Sequence, residues 1–247
     1  MSKIFEALTE ASKKKPEDEP RPAGSKAHKQ PNESPVHHLP ESDLTEYRLL
    51  RQRIVRLTPN LDKRVLLFMG PSDTKGSLDV AADFCFTVAG AGDKVLFVGV
   101  NADQSFLRQI FGINQFPGVA ELFSGECAVQ DLIYRTVYAN LFFLPALIPG
   151  ANALSAEEQD IIRSATREMK SFSDWSIFHC PALSGFTNAT MLAGIVDGVI
   201  LVIKAEQTGR RVAQRTREKL AGSGAHILGA VLTDQKDHIP SWITSRL

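Results

Sequence analysis

The chain has 247 residues, enough for one sizeable α/β domain and a tail. Its 28 basic and 28 acidic side chains give a formal net charge of zero, which excludes an overall field that would recruit nucleic acid or acidic lipid. No stretch approaches the length of a membrane span, and no signal-peptide core follows the first residues. We therefore expect a cytoplasmic protein with no direct membrane insertion, which would reach the inner membrane only through a partner.

The first forty residues form two units that precede the main domain. Residues 1–14 predict a short helix with Ile4, Phe5 and Leu8 on one face, which is either a docking helix for a partner or a frayed, solvated terminus. Residues 15–40 contain six prolines and almost no large apolar side chains, so they cannot bury enough surface to offset the entropy of ordering. We expect this second segment to be a disordered linker.

The main domain, residues 41–247, is predicted to start with a helix near Ser42. Apolar side chains recur at helical spacing, at Tyr47, Leu50, Ile54 and Leu57. Arginines occupy other positions of the same helix, at Arg48, Arg51, Arg53 and Arg56. A basic helix could contact nucleic acid, but this one lacks interleaved aromatic residues. A solvated face over an apolar stripe is therefore the better interpretation.

From residue 64 onward, apolar runs alternate with helical patterns. Six runs indicate buried parallel strands: RVLLFM, KVLFVGV, LFFLPAL, WSIFHC, GVILVI and HILGAVL. The helical segments lie near 77–91, 104–112, 117–134, 155–171, 187–195 and 209–222. This alternation predicts an α/β fold with a doubly wound, mainly parallel sheet and helices on both faces. Ligands of such sheets bind beyond the carboxyl ends of the strands.

One strand–helix junction, GPSDTKGSLDVAADF at residues 70–84, has the glycines expected of a phosphate loop. The candidate loop residues are Gly70, Thr74, Lys75, Gly76 and Ser77. No Gly-Lys dipeptide occurs in the chain, so the junction is a phosphate loop, the remains of one, or a plain capped turn. A helix that begins near Ser77 would carry Asp79 in its first turn, where the carboxylate would repel a phosphate.

Three stretches resemble one family in their order and spacing: MSKIFEAL, TEYRLLRQRI, and VDGVILVIKAEQTGRR with GAHILGAVLTD. They are similar to the cytoplasmic tyrosine autokinases of bacterial polysaccharide export, which belong to the MinD- and ParA-type P-loop ATPases. The resemblance implies a P-loop NTPase-like fold. It also implies an oligomerisation motif, Glu-x-x-Arg-x-x-Arg, in which Arg48 and Arg51 match the arginines and Thr45 replaces the glutamate.

The resemblance further implies where the catalytic side chains of the family would stand, and the chain departs from the pattern at each position. The substituted positions are Ser77 at the phosphate-loop lysine, Leu78 at the magnesium-binding hydroxyl, Gly99 and Asn101 at two carboxylates, and His179 at a third. Serine cannot neutralise phosphate charge, and leucine, glycine and histidine are not the oxygen ligands that magnesium prefers. His179 and Cys180 are neighbours on a strand and point to opposite faces, which argues against zinc.

The family also carries a tyrosine-rich C-terminal tail, whereas the tyrosines of this chain are Tyr47, Tyr134 and Tyr138. The favoured hypothesis is a non-catalytic, kinase-like scaffold or regulator of bacterial exopolysaccharide or capsule biosynthesis and export, a pseudokinase with no cofactor. Its partner would be a polysaccharide chain-length or co-polymerase membrane protein, or an active kinase homologue. Two alternatives stay open: an active tyrosine autokinase or ATPase that uses ATP, magnesium and a displaced Lys75, and a ParA- or MinD-like protein-positioning module.

The missing glutamate of the oligomerisation motif leads to a prediction about assembly. A self-complementary ring needs an acid on one protomer and arginines on the next, and Thr45 supplies no charge. We therefore expect weak or absent homo-oligomerisation, with Arg48 and Arg51 available to carboxylates of a partner. Sedimentation at micromolar protein concentration measures this, and a stable ring would contradict it.

Overall fold

The computed structural model describes residues 39–72, 75–102, 128–146, 148, 153–180, 182–183 and 186–234. The predicted docking helix at 1–14 and almost all of the linker at 15–40 lie outside the described residues. The predicted helix at 104–112 and the first part of the one at 117–134 also lie outside them. The division of the chain into these segments therefore stays a prediction.

The described elements follow one another in chain order: α1 Glu41–Leu57, β1 Arg64–Met69, α2 Lys75–Gly90, β2 Val95–Val100, a 3-10 helix Val129–Leu132, β3 Tyr134–Arg135, β4 Leu141–Ala146, α3 Ala156–Phe172, β5 Trp175–His179, α4 Ala189–Ile195, β6 Gly198–Lys204, α5 Arg210–Gly222 and β7 Ile227–Thr233. The strands form one sheet in the order β3-β4-β2-β5-β1-β6-β7, and only the β3–β4 pair is antiparallel. This confirms the predicted α/β, doubly wound, mainly parallel sheet.

Helices cover both faces of the sheet. One apolar cluster joins the sheet to α3, α4 and α5, and the other joins it to α1 and α2. The central strands β1, β2 and β5 are buried along their whole length, because each has neighbours on both edges and helices on both faces. All six predicted strands lie within one residue of their observed limits, and for the central strands this double burial explains why an uninterrupted apolar run marks those limits.

Three local predictions are wrong. Residues 129–135 form a 3-10 turn and the short strand β3 instead of the end of a helix, because this segment pairs antiparallel with β4. Strand β7 is not buried, since it lies at the sheet edge with one neighbouring strand, and Leu232 is 59% exposed. Helix α2 begins at Lys75 rather than Ser77, and Asp79 consequently lies beyond its first turn.

Helix α1 is held against the sheet by polar contacts as well as by packing. The hydroxyl of Tyr47 donates a hydrogen bond to the Asp83 carboxylate over 3.1 Å. The Arg51 guanidinium forms an ion pair with Asp93 at 2.6 Å and lies over the ring of Trp175. Two long side chains of α1 are therefore fixed by partners in the middle of α2, in the turn after α2 and at the start of β5.

None of the described helices is long and apolar enough to cross a membrane. Cys85 and Cys180 are buried and not bonded to each other or to another cysteine. Burial raises the pKa of both thiols, to about 12 for Cys180. Both side chains therefore behave as small apolar core residues at neutral pH.

Candidate functional site

The carboxyl ends of β1, β2 and β5 meet at the start of α2. In the register of the sheet, His179 of β5 lies beside Phe68 of β1 on one side and Gly99 of β2 on the other. Because the chain leaves β1 through Gly70 and enters α2 within a few residues, α2 begins above these strand ends. The structure thus brings Ser77, Gly99 and His179 to one place, as expected for the ligand edge of a parallel sheet.

Ser77 and His179 are in direct contact. The Ser77 hydroxyl and His179 Nε2 lie 3.1 Å apart, and the two residues are only 4% and 5% exposed. Burial lowers the pKa of the His179 imidazole to about 3, far below its ordinary value of 6.5. The two side chains therefore form an uncharged hydrogen bond at neutral pH, although they are 102 positions apart in the sequence.

The second nitrogen of the same imidazole is less well satisfied. His179 Nδ1 is buried and has no hydrogen-bond partner among the described residues. A buried polar atom in that state costs roughly 1–3 kcal/mol of stability. The imidazole is thus held in place by one hydrogen bond and by packing, and its charged form has no acceptor for a second proton.

Asn101 is fully engaged in holding two loops together. Its side-chain nitrogen donates to the carbonyl of Ile148 at 2.8 Å, and its side-chain oxygen accepts from the amide of Ile148 at 2.9 Å. The residue adopts a left-handed backbone with φ of 48°, a conformation that asparagine tolerates better than most residues. The carboxamide therefore performs a structural task, and sequence reasoning gave no signal for it because Ile148 lies 47 residues away.

The remaining loop candidates differ in their surroundings. Leu78 is 6% exposed and belongs to the apolar cluster under α1 and α2. Lys75 is exposed and forms no ion pair with any described residue. A Cβ added to Gly76 would lie 3.8 Å from the hydroxyl of Thr233, whose oxygen is itself buried without a hydrogen-bond partner in the described part of the chain. Gly70 is buried, and Thr74 lies outside the described residues.

The buried side chains at this edge are uncharged. The side chains that converge are a hydroxyl from Ser77, an imidazole from His179 and a carboxamide that is already occupied. Within the described ranges, no three His, Cys, Asp or Glu side chains approach one another closely enough to hold a metal ion. What remains for an anion is the backbone at the start of α2 and the exposed ammonium of Lys75.

The residues expected to contact partners are only partly described. Arg51 is engaged with Asp93, and Arg48 is half-buried on α1. The Thr45 hydroxyl donates to the Glu41 carbonyl of its own helix at 3.1 Å. Ile4, Phe5 and Leu8 lie outside the described residues. The roles assigned to Arg48, Arg51 and the terminal apolar residues therefore stay predictions.

The three tyrosines are all at least half-buried. The hydroxyl of Tyr47 points at Asp83, and both burial and this carboxylate raise the pKa of Tyr47. Tyr134 is 7% exposed at the β3 edge, and the Tyr138 ring packs edge-on against Phe86 with 4.6 Å between centroids. Each tyrosine therefore has a packing role in the domain.

No family model matches the chain. Among known proteins, it is 26% identical over 198 residues to CapB of Staphylococcus aureus, a candidate tyrosine-protein kinase, covering 80% of this chain and 87% of CapB. It is 20% identical over 182 residues to the tyrosine-protein kinase CpsD of Streptococcus agalactiae, covering 73% of this chain and 78% of CpsD. It is 22% identical over 198 residues to EpsB of Ralstonia nicotianae, another candidate tyrosine-protein kinase, covering 77% of this chain and 25% of EpsB.

Solved structures share the fold. The kinase domain of the Escherichia coli tyrosine kinase ETK superposes with a TM-score of 0.66 at 15% identity, over 80% of this chain and 79% of that one. The chimerical protein CapA2B2 gives 0.64 at 18% identity, over 78% and 85%. The MinD cell division protein of Aquifex aeolicus gives 0.55 at 16% identity, over 74% and 72%. The chain is therefore similar in sequence to bacterial tyrosine-protein kinases, and it has the fold that the kinase domain of ETK shares with MinD.

Proposed function

We propose that this protein is a non-catalytic, kinase-like regulator of bacterial exopolysaccharide or capsule biosynthesis and export. The observation that carries the proposal is the buried hydrogen bond between Ser77 and His179. By resemblance, these positions belong to the lysine that neutralises phosphate and to a carboxylate that serves magnesium. In this chain the Ser77 hydroxyl and His179 Nε2 bind each other, so neither of these two atoms is directed at a ligand.

Magnesium and nucleotide phosphates fit this edge of the sheet poorly. A nucleoside triphosphate with magnesium needs a cation on its terminal phosphates and oxygen ligands for the metal. The imidazole of His179 is uncharged near neutral pH because burial lowers its pKa to about 3, and Leu78 carries no oxygen on its side chain. Asn101 has oxygen, but its carboxamide already binds the backbone of Ile148.

The described tyrosines are also poorly placed to accept a phosphate in an autokinase reaction. A tyrosine hydroxyl must reach the phosphate and lose its proton as it reacts. The Tyr47 hydroxyl donates a hydrogen bond to the Asp83 carboxylate, and the raised pKa of Tyr47 makes deprotonation of this hydroxyl harder. Tyr134 is buried where β3 pairs with β4. These constraints on the described tyrosines support a scaffold rather than an autophosphorylating enzyme.

The partner in this proposal is a polysaccharide chain-length or co-polymerase membrane protein, or an active kinase homologue. This chain corresponds to only a quarter of EpsB, so in that relative the kinase-like part is joined to a much longer chain. A solved structure of the same fold is a chimera, CapA2B2. A separate partner protein would provide the part that EpsB carries in the same chain as its kinase-like part. Contact with this partner would place the protein described here at the inner membrane.

A second candidate function is an active autokinase or ATPase that uses Lys75. One observation favours it: Lys75 is exposed at the first residue of α2, and it forms no ion pair with any described residue. A lysine side chain is long enough to turn toward an anion at the helix start. The ParA- or MinD-like positioning function is favoured by fold likeness alone, which does not define function.

Incubation of the full chain with magnesium and ATP tests the proposal. We expect no ATP turnover, no heat of Mg·ATP binding at micromolar protein concentrations, and unmodified Tyr47, Tyr134 and Tyr138 by mass spectrometry. The reason is that the described residues at the start of α2 include no buried cation and no group of three side chains that could hold a metal ion. Turnover or tyrosine phosphate that disappears in Lys75→Ala would overturn the proposal in favour of the second candidate.

A restored variant sharpens the same experiment. Ser77→Lys/Leu78→Thr/His179→Asp returns a cation, a hydroxyl and a carboxylate to the positions that the resemblance assigns. We expect this variant to bind Mg·ATP at least about tenfold more tightly than the unmodified protein, since a charge-assisted contact contributes roughly 1.5–3 kcal/mol. Ser77→Lys alone is the matched control, and it should show no gain because the new ammonium would be buried against His179.

A further inference from the structure

Helix α5 carries an unusual excess of positive charge. It contains five basic residues and one acidic residue, Glu218, and all five basic side chains are exposed: Arg210, Arg211, Arg215, Arg217 and Lys219. None of them forms an ion pair with another described residue. Because the whole chain has zero formal charge, this is a local concentration of charge rather than a property of the protein overall.

Three of these cations form one stripe along the helix. Arg211, Arg215 and Lys219 are spaced four residues apart, so they lie above one another on a single face over about 12 Å. Like charges at this spacing repel and destabilise a helix. Arginine presents a planar fork of donors that matches a carboxylate in a bidentate manner, so a stripe of this kind suits a row of carboxylates.

The start of α5 is equally unfavourable on its own. Its first turn holds Arg210 and Arg211 and no acidic residue, and its N-cap, Gly209, makes no side-chain hydrogen bond. The positive end of the helix dipole therefore faces two more positive charges. Helix α3 has the opposite arrangement, with a Ser155 capping box and two glutamates in its first turn. The charges at the start of α5 thus oppose the helix dipole, whereas those at the start of α3 suit it. Unfavourable local features of this kind are expected at functional positions.

Exposed apolar side chains lie beside the stripe. Val212 is 45% exposed and is three residues from Arg215 and seven from Lys219, so it borders the stripe on the helix surface. Leu232 is 59% exposed near the end of β7 and pairs with Ile203, which packs against the cluster that contains Leu220 of α5. Val212 and Leu232 are thus on the same side of the sheet, at the end where β6 and β7 finish.

From this combination we infer that the Arg211–Arg215–Lys219 face of α5, with Val212 at its border, is a docking surface for another protein. The docked segment is acidic and also carries one apolar anchor residue. A lipid surface fits less well, since membrane-surface helices carry bulky apolar or aromatic residues, whereas the exposed apolar side chains of α5 are valine and alanine. Nucleic acid fits less well, because the face has no aromatic residues and the chain is neutral.

The inference is independent of whether the nucleotide site is active, because α5 lies on the other face of the sheet from α2. The probe is a fluorescent helical peptide with glutamate at every fourth position and one central leucine, and the readout is anisotropy with the full chain. We expect Arg211→Glu/Arg215→Glu to bind the peptide at least about tenfold more weakly than the unmodified protein. Binding should also weaken as salt rises, since the contacts are exposed charges.

The matched control is Arg163→Glu/Arg167→Glu on α3, which reverses two exposed arginines at the same spacing. The control should bind like the unmodified protein. The melting temperature of the α5 variant should not fall, because glutamate in the first turn suits the helix dipole, so weaker binding could not be attributed to unfolding.

Several results would overturn the inference. One is an equal loss of peptide binding in both double variants, and another is the absence of peptide binding at low salt. A third is preferential binding of phosphatidylserine vesicles or of duplex DNA over the peptide, which would assign the face to a membrane or to nucleic acid instead.

Discussion

Replacing Trp175 by alanine is expected to lower the free energy of unfolding by about 3–5 kcal/mol, the range for truncating a buried tryptophan. Trp175 is 2% exposed at the start of β5, and its ring meets Phe84 edge-on with 5.8 Å between centroids. The loss combines transfer of the ring from water with the cavity left in a densely packed layer. Chemical denaturation followed by circular dichroism measures it.

The ring of Trp175 also contacts two arginine side chains. The guanidinium carbons of Arg51 and Arg64 lie 5.9 and 5.1 Å from its centroid, as in cation–π contacts. Arg64 further binds Thr58 through two of its nitrogens, and Thr58 caps the end of α1. The alanine variant should therefore loosen α1 in particular. Hydrogen exchange of the α1 amides should accelerate more than that of β6.

Trp175→Phe provides the graded control. It keeps an aromatic face for the guanidinium groups and most of the apolar contact, so it should cost about half as much as the alanine change. If alanine cost less than about 1 kcal/mol, the packing of α1 on β5 would not be a main source of stability. The same result would also weaken the view that Trp175 sets the positions of Arg51 and Arg64.

The strands of this protein could be predicted from sequence because most of them are buried on both faces. A run such as RVLLFM has no polar position to interrupt it, so its limits are visible without knowledge of its neighbours. Strand β3 could not be found in this way. Its two residues, Tyr134 and Arg135, become a strand only because β4 lies beside them, and Val129 and Leu132 are spaced like one helical face.

The edge position of β7 was also invisible in the sequence. Its run HILGAVL is as apolar as the runs of the central strands, but strand order is decided by the whole sheet. The exposed Leu232 follows from that order. Apolar content therefore predicted the strand correctly and its burial incorrectly.

The candidate site divides in a similar way. The ends of parallel strands indicated where Gly99, Asn101 and His179 would lie. The register of the sheet places Gly99 beside His179, whereas Asn101 contacts Ile148. The contacts made by these side chains were not predictable. Ser77 lies in the first turn of α2, and its hydroxyl contacts His179 at the end of β5. Such pairing depends on register and rotamer across distant parts of the chain.

The buried imidazole of His179 should make the protein acid-sensitive at mild pH. Burial lowers its pKa in the folded state to about 3, against an ordinary value of 6.5. Between these two values the unfolded chain binds a proton that the folded chain does not, so stability falls as the pH falls. The loss begins near pH 6.5 and approaches about 1.4 kcal/mol per pH unit, which amounts to about 2 kcal/mol by pH 5.

His179→Gln should remove this slope, because glutamine does not titrate. Its amide can still bind the Ser77 hydroxyl, so the fold should persist at pH 7. His226→Gln is the matched control for the substitution itself, since His226 is exposed on the loop before β7. The measurement is the free energy of unfolding from urea titrations between pH 5 and pH 7.5, above the range where most carboxylates titrate. An unchanged slope in His179→Gln would show that the imidazole takes up its proton in the folded protein at the same pH as in the unfolded chain, so that burial does not lower its pKa. Below that pH the imidazole would place a positive charge at the start of α2, where a phosphate could bind, and the case for a non-catalytic site would be weaker.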